Sequence, residues 1–352
     1  MTVSEIVACL PEALLPWYEA NKRKLPWRED KDPYHIWVSE IMLQQTRVEA
    51  VKPYYLRFMQ ELPTVRDLAS AEDERLHKLW EGLGYYSRVR NMKKTAVAVM
   101  ESFGGEFPKD YKSVLSLPGI GPYTAGAVCS IAFDLPTPAV DGNVLRVMSR
   151  LLNDETPIND SKVRIKAETA LAKVYPQEAG AFTQALMELG ATVCGPNRKP
   201  DCGSCPCRRF CRGRELGTAC DLPKKAPKQQ RRVEKLTVLI LSSQGSYALL
   251  KRPDTGLLAG LWEFPNIPGE LTVAEVVARV ESQGGKIRDF KRQVERNHVF
   301  THIKWNMSGV YVEVAEQFGP YTWLTGEEID TEAALPTAFR QFWDEEWRVK
   351  DF

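Results

Sequence analysis

Through roughly the first two thirds of the chain, apolar residues return every three or four positions. The stretches 6–18, 34–58, 72–80, 89–100, 124–133, 144–152, 163–175 and 182–193 all carry that period, which predicts amphipathic helices. Short polar or Pro/Gly breaks part them, at Pro63-Thr64, 82–86, Gly104-Gly105, 136–138 and 157–160. An all-α domain of many short helices is expected over residues 1–217. The period then falls to two. Segments 236–241 and 246–251 flank Gln244-Gly245, a hairpin signal. Thr272 and Glu275 have the spacing of a capping box, opening a helix to about Gln283. Residues 298–314 read as one or two strands and 339–347 as a final helix. Residues 234–352 are therefore expected to form an α+β domain. The connecting stretch, 218–233, is low in apolar residues, rich in Lys, Gln and Arg, and contains Pro223 and Pro227, so it reads as a linker.

Length agrees with this division, since 352 residues exceed one comfortable core. Hydrophobic residues at 43% and charged residues at 26% describe a globular protein. No apolar run approaches the ~20 residues of a membrane span. Residues 1–15 carry Glu5 and Glu12 and no basic region of a signal peptide, so a cytoplasmic location is expected; the chain is further expected to be a nucleoid-associated monomer with no membrane partner. The net charge of +1 hides a segregation. Between Cys194 and Arg232 there are eleven Lys/Arg against three Asp/Glu, a concentration that suits a polyanion.

Three features carry chemistry. Cys194, Cys202, Cys205 and Cys211 have the spacing C-x7-C-x2-C-x5-C, which in a reducing compartment argues for metal rather than disulfides. Zinc or a 4Fe–4S cluster would each accept four thiolates, and the spacing leaves both open. Cys207 sits inside the same loop and could substitute for a neighbour, whereas Cys9, Cys129 and Cys220 look unrelated. Glu40 lies four residues after Ile36 and three after Trp37, on a face with large apolar groups. A carboxyl there is partly desolvated, which favours its protonated form and suits a general acid. Finally, Leu117-Pro118-Gly119-Ile120-Gly121-Pro122-Tyr123-Thr124 is a glycine-rich turn expected to open a helix at Thr124, a place that attracts anions. Asp141 follows in Val140-Asp141-Gly142-Asn143. An Asp just before a helix is ordinarily an N-cap.

Together these stretches resemble the helix-hairpin-helix superfamily of base-excision DNA glycosylases, and more closely the adenine DNA glycosylases of the MutY type. The resemblance rests on Leu25-Pro26-Trp27-Arg28, residues 39–46, Gly82-Leu83-Gly84-Tyr85-Tyr86 with Arg88, Arg90 and Asn91, residues 117–125, residues 140–143, residues 182–190 and the four cysteines. It implies a multidomain architecture: a helix-hairpin-helix glycosylase domain with an iron–sulfur loop at 194–211, then a Nudix-like domain that recognises 8-oxoguanine. The implied substrate is double-stranded DNA holding adenine opposite 8-oxoguanine or guanine, with a sliding clamp or a mismatch-repair factor as protein partners. Glu40 would protonate the adenine base and Asp141 would stabilise the oxocarbenium-like sugar, with Tyr123 and Asn143 holding the site. Arg28 and Gln184 would contact the flipped adenine. Gln45 and Tyr85 would fill the duplex beside the opposite base, and Thr46 and Leu83 would line its other edge. Amides around Gly119 and Gly121 would bind backbone phosphate, and the hairpin carbonyls a structural cation (Ca, Na or K). The cysteines would hold a 4Fe–4S cluster.

Tyr123 discriminates within the superfamily. Glycosylase/lyases resembling endonuclease III carry a Lys there that forms a Schiff base, so this chain is expected to act mainly without strand cleavage. In the C-terminal third, residues 249–253 and 260–265 resemble the Nudix-like module, but residues 272–289 lack the Glu-rich metal box that nucleotide hydrolysis requires. The lesion-reading turn of the family, Phe-Ser-His, is here Phe300-Thr301-His302. The family's first cysteine gap is six residues; here it is seven. A glycosylase/lyase for oxidised pyrimidines, a lesion-binding protein and a nucleotide hydrolase are the rival readings.

Overall fold

The structure is a computed structural model that describes residues 1–196, 199–225 and 230–343. The chain runs through α1 (Val3–Ala8), α2 (Leu10–Asn21), a single 3-10 turn (Pro26–Arg28), α3 (Pro33–Leu43), α4 (Val48–Glu61), α5 (Val65–Ser70), α6 (Asp73–Leu79) and α7 (Ser87–Phe103). It continues with α8 (Tyr111–Ser116), α9 (Pro122–Phe133), α10 (Gly142–Leu152), α11 (Ser161–Ala172), α12 (Ala179–Thr192) and α13 (Arg212–Glu215). The remainder is β1 (Arg232–Ser243), β2 (Ser246–Lys251), β3 (Trp262–Glu263), β4 (Asn266–Pro268), α14 (Val273–Ser282), β5 (Ile287–Val299), β6 (Ile303–Val314), β7 (Thr322–Thr325), α15 (Gly326–Thr331) and α16 (Thr337–Arg340). Two compact units result, Met1–Ala71 with Arg90–Pro227, and Glu72–Val89 with Lys228–Phe352. Among the described residues no helix is long and apolar enough to cross a membrane.

In the helical unit, one core gathers Leu10, Leu14, Val144, Met148, Leu171, Phe182 and Leu186 from α2, α10, α11 and α12. The apolar period of the sequence is the cause, since each helix contributes the same face at every third or fourth residue. The run 34–58 is not one helix. It breaks at Gln44–Arg47, where Gln45 takes a left-handed φ of 59° and α4 restarts at Val48. The glycine-rich turn also differs from expectation by two residues. Pro122 occupies the first helical position of α9, where a missing N–H costs nothing, so Tyr123 lies inside the first turn rather than ahead of it. Gly126 lets that helix touch the strand-like segment leading to Asp141, because a Cβ there would stand 2.1 Å from the Pro138 carbonyl oxygen.

The second unit is built on a seven-stranded mixed sheet of order β3-β2-β1-β6-β5, with β4 on β1 and β7 on β2. Strands β1 and β6 run parallel, while β5 and β6 form a long antiparallel hairpin. Alternation in β1 sends Val238 and Ile240 to a cluster with Ala338, Phe339 and Phe342, and Leu239 and Leu241 to one with Val276 and Val280 of α14. Both faces of the sheet are thus covered. The expected hairpin at Gln244-Gly245 forms, with φ of 50° and 79°. Thr272 and Glu275 complete their capping box. Strand β5 was legible only at its end, and the expected final helix covers four residues, Thr337–Arg340, before the described residues end at 343.

Two boundaries differ from those expected. Residues 72–89 fold with the second unit, where Lys78 Nζ donates to the carbonyls of Ile329 (3.3 Å) and Ala333 (3.2 Å) and Glu81 accepts from the Leu335 amide. Of the stretch expected as linker, residues 218–225 are fixed on the helical unit. Leu222 is buried, its carbonyl accepts from Arg150 Nε at 2.9 Å, and the Lys224 carbonyl accepts from the Ile158 amide at 2.9 Å. Residues 226–229 lie outside the described residues.

Candidate active site

A cleft of about 1100 Å³ in the helical unit is lined by Arg28, Glu40, Gln45, Thr46, Gly119, Gly121, Tyr123, Asp141, Asn143 and Gln184. Ten residues singled out from scattered motifs therefore share one cavity.

Glu40 is set into it by α3, whose other positions from Tyr34 to Met42 are nearly all buried. Glu40 is 6% exposed, and the Tyr123 hydroxyl donates a short hydrogen bond to its Oε2. Burial pushes the Glu40 carboxyl up to about 7; the Tyr123 bond opposes that rise, the charge of Asp141 adds to it, and Arg28 opposes it. Tyr123 is itself held well above its ordinary range, first by burial and then by the negative charges of Glu40 and Asp141, so its phenol keeps its proton and donates. The result is a carboxyl poised to give up a proton near neutral pH.

Asp141 is an N-cap after all. Its Oδ1 accepts from the Val144 amide at 2.7 Å, opening α10. Oδ2 accepts from Asn143 Nδ2 at 2.6 Å, and Asn143 Oδ1 accepts from Arg146 Nη2 at 2.8 Å. Arg146, itself buried, also donates to the carbonyls of Gly190 (2.8 Å) and Cys194 (2.9 Å). One carboxylate thus caps a helix and faces the cleft, and the fold fixes its rotamer through an Asn and a buried Arg.

Arg28 enters from the 3-10 turn. Its Nη2 donates to Glu188 Oε2 at 2.9 Å, and its guanidinium lies 5.6 Å from the Tyr18 ring centre. Arg23 completes the arrangement, with Nε 2.6 Å from Glu188 Oε1. Burial works against ionisation of Glu188, yet the hydrogen bonds and charges of Arg23 and Arg28 outweigh it and hold the carboxyl below its ordinary range. Gln184 stands one turn earlier on α12, its Nε2 3.3 Å from the Gly180 carbonyl. Sequence reasoning missed Glu188. Its signal was a carboxylate four residues after Gln184, on the same helical face, inside an otherwise apolar helix.

The hairpin is a tight turn in which Ile120 N donates to the Leu117 carbonyl at 3.2 Å. Gly119 has φ 74°, and a Cβ there would meet Asn91 Cβ at 2.7 Å, so both backbone conformation and packing demand glycine. Thr95 Oγ1 donates to the Pro118 carbonyl and ties the turn to α7.

In the cysteine loop, Cys194, Cys205 and Cys211 pack half-buried against the core to which the buried Cys207 belongs. Burial and then neighbouring sulfurs push Cys202 up (Cys205, Cys194 and Cys220), and burial and Cys205, Cys194 and Cys202 push Cys211 up. A hydrogen bond from the Cys207 thiol holds Cys205 down. Cys220, unrelated by spacing, therefore stands within electrostatic reach of Cys202. Arg150 Nη1 lies 3.3 Å from Cys194 Sγ. Among the described residues no three His, Cys, Asp or Glu side chains converge on a single ion position. Residues 197 and 198 of the first gap lie outside the described residues.

The remaining expected residues belong to the second unit. Leu83 is buried, and Tyr85 is 49% exposed at φ 49° with the Arg88 guanidinium 5.8 Å from its ring centre. Phe300, Thr301 and His302 form the turn between β5 and β6. Glu275 of α14 is engaged in its capping box.

Residues 38–173 match the HhH-GPD superfamily of base excision DNA repair proteins, and residues 236–345 match the NUDIX domain. Relatives include the adenine DNA glycosylase of Mus musculus, 37% identical over 93% of this chain and 76% of its own length. That of Arabidopsis thaliana is 41% identical over 72% of this chain and 46% of its own. Among solved structures, a thermostable thymine-DNA glycosylase is 28% identical with a TM-score of 0.55, covering 60% of this chain and 98% of that one. A trapped endonuclease III–DNA covalent intermediate is 26% identical with a TM-score of 0.52, covering 62% and 99%.

Proposed function

Because the chain belongs to the adenine DNA glycosylases of the HhH-GPD superfamily, we propose that the adenine it removes from DNA is the one mispaired with 8-oxoguanine and, less readily, with guanine. The observation that carries the chemistry is the buried Glu40 carboxyl, hydrogen-bonded to Tyr123 in the cleft that Asp141 also lines. Glu40 gives its proton to the adenine base, so the electron pair of the N-glycosidic bond leaves with a neutral base. Positive charge grows on the sugar, and the Asp141 carboxylate stabilises it. Water adds to the anomeric carbon and sheds its proton, leaving an abasic site.

The other residues deliver the nucleotide. Extruding adenine from the stack costs ~a few kcal/mol, which the contacts of Arg28 and Gln184 offset. Glu188 holds Arg28 in place for that contact. Gln45 and Tyr85 fill the space left in the duplex, and Thr46 and Leu83 line the opposite base. Amides near Gly119 and Gly121 bind backbone phosphate at the start of α9. Phe300, Thr301 and His302 read 8-oxoguanine; Thr301 supplies a hydroxyl and adds a methyl group that changes the fit.

Tyr123 supports hydrolysis without strand cleavage, since a phenol cannot form a Schiff base. Duplexes holding adenine opposite 8-oxoguanine, adenine opposite guanine, and an oxidised pyrimidine separate the readings. Free adenine should appear fastest from the first, with strand breaks mainly after alkali. Breaks without alkali at the oxidised pyrimidine would instead favour the glycosylase/lyase reading.

Cys194, Cys202, Cys205 and Cys211 are the residues that would hold a 4Fe–4S cluster. The donor set fits such a group: the four thiols lie in one loop, with Cys194, Cys205 and Cys211 packed half-buried against the helical core. Bound there, the cluster would fix the loop that carries Arg208, Arg209, Arg212 and Arg214 and take no part in base removal. Purified protein should contain iron and acid-labile sulfide and show a broad visible absorbance lost on oxidation. Stoichiometric zinc in colourless protein would overturn the assignment.

A further inference from the structure

The β5–β6 turn is held from two directions. Beneath it runs a column of aromatic rings. Phe300 packs edge-on between His298 at 4.5 Å and Trp305 at 4.8 Å, and Trp305 stands 5.9 Å from Phe339. The buried Trp305 is anchored in turn by its indole N–H, 2.8 Å from Glu234 Oε2. Beside the turn lies the first residue pair of β1. The parallel register sets Arg232 opposite Ile303, and the Arg232 amide donates to the His302 carbonyl at 3.1 Å. One residue earlier, Arg231 Nε donates to the Phe300 carbonyl at 3.1 Å. Phe300 N donates to the Ile303 carbonyl at 2.8 Å, closing the turn.

The ring column fixes where the Phe300 side chain points. Arg231 holds the carbonyl of the peptide that follows it, and the Arg232 amide holds the carbonyl two residues on. Thr301 and His302, both exposed, are presented from between these two attachment points. A guanidinium donor is charged, so its bond to a carbonyl is stronger than a neutral one.

We propose that Arg231 is a specificity-determining positioning residue, setting the orientation in which the Phe300–Thr301–His302 turn meets the base opposite adenine. The proposal rests on the reading of that turn as the 8-oxoguanine reader. Its signature is the ratio of single-turnover adenine release opposite 8-oxoguanine to that opposite guanine, measured for wild type, R231A, R231K and F300A. R231A should lower the ratio by about three- to tenfold, the worth of one net hydrogen bond. R231K, which keeps a charged donor, should recover most of it, and F300A should lower it further. The thermal unfolding midpoint of R231A should match wild type, because the bond is exposed.

The failures are distinguishable. A ratio lowered by F300A and untouched by R231A would overturn the role of Arg231 and leave the turn as reader. A ratio untouched by F300A would overturn both. Equal losses on the two duplexes, with a shallower salt dependence of duplex binding, would make Arg231 a phosphate contact and overturn the proposal as well.

Discussion

Glu40→Gln loses adenine release by about 10²–10⁴ in single-turnover rate, the range general-acid help supplies, while duplex affinity is kept. The amide is isosteric and its oxygen can still accept the Tyr123 hydroxyl, so the cleft keeps its shape; only the transferable proton is gone. The same group dictates the pH profile. Burial raises the Glu40 carboxyl to about 7, so the proton donor is present below that pH and lost above it. Release by the wild-type protein should therefore fall as pH rises through about 7. Tyr123→Phe removes the hydrogen bond that favours the ionised form, so the alkaline fall should move to higher pH. Rates from rapid-quench assays across pH check both statements. An E40Q protein that frees adenine at the wild-type rate, or a wild-type profile flat through neutrality, would remove Glu40 from the role of acid.

How far the sequence reveals this molecule depends on the range of the interactions concerned. The helices of the first unit were legible because a repeating apolar face is a local property. The Gln244-Gly245 hairpin and the Thr272/Glu275 cap were legible for the same reason. Strand β5 was not. It lies at the sheet edge, none of its residues is buried and nearly half are charged, so its alternation gives little hydrophobic signal. The helical run 34–58 concealed a break because Gln45 adopts a left-handed conformation that its own side chain does not encourage. The packing of residues 72–89 on the second unit depends on Lys78 and Glu81 meeting partners some 250 positions away. Nothing local announces such contacts. Asp141 presents a different case, since its N-cap reading and its place in the cleft looked like alternatives and are both occupied by one side chain. Glu188 went unnoticed because a lone carboxylate in an apolar helix acquires meaning only once Arg23 and Arg28 arrive from another part of the chain.

Asp141→Asn separates those two occupations. Asn caps a helix about as well as Asp, so α10 should still start at Gly142 and the fold should persist. One donor will nevertheless be misplaced. Asn143 is locked by Arg146 Nη2 on its Oδ1, so its Nδ2 must point at position 141, where the second carboxylate oxygen has become an N–H₂ group. That donor–donor contact costs roughly 1–3 kcal/mol, visible as a modest fall in the unfolding midpoint. The loss of activity should be far larger than this destabilisation explains. Removing a full negative charge from beside a sugar that becomes cationic in the transition state should cost at least the ~10²–10³ in rate seen when one oriented stabilising group is deleted. Gel-shift affinity for the mispaired duplex should change little, because the charge that Asp141 complements does not exist in the ground state. Single-turnover release, unfolding and duplex affinity measured on one preparation decide the matter. A D141N protein with wild-type release would reduce Asp141 to a helix cap. A fall in affinity matching the fall in rate would make it a binding residue instead.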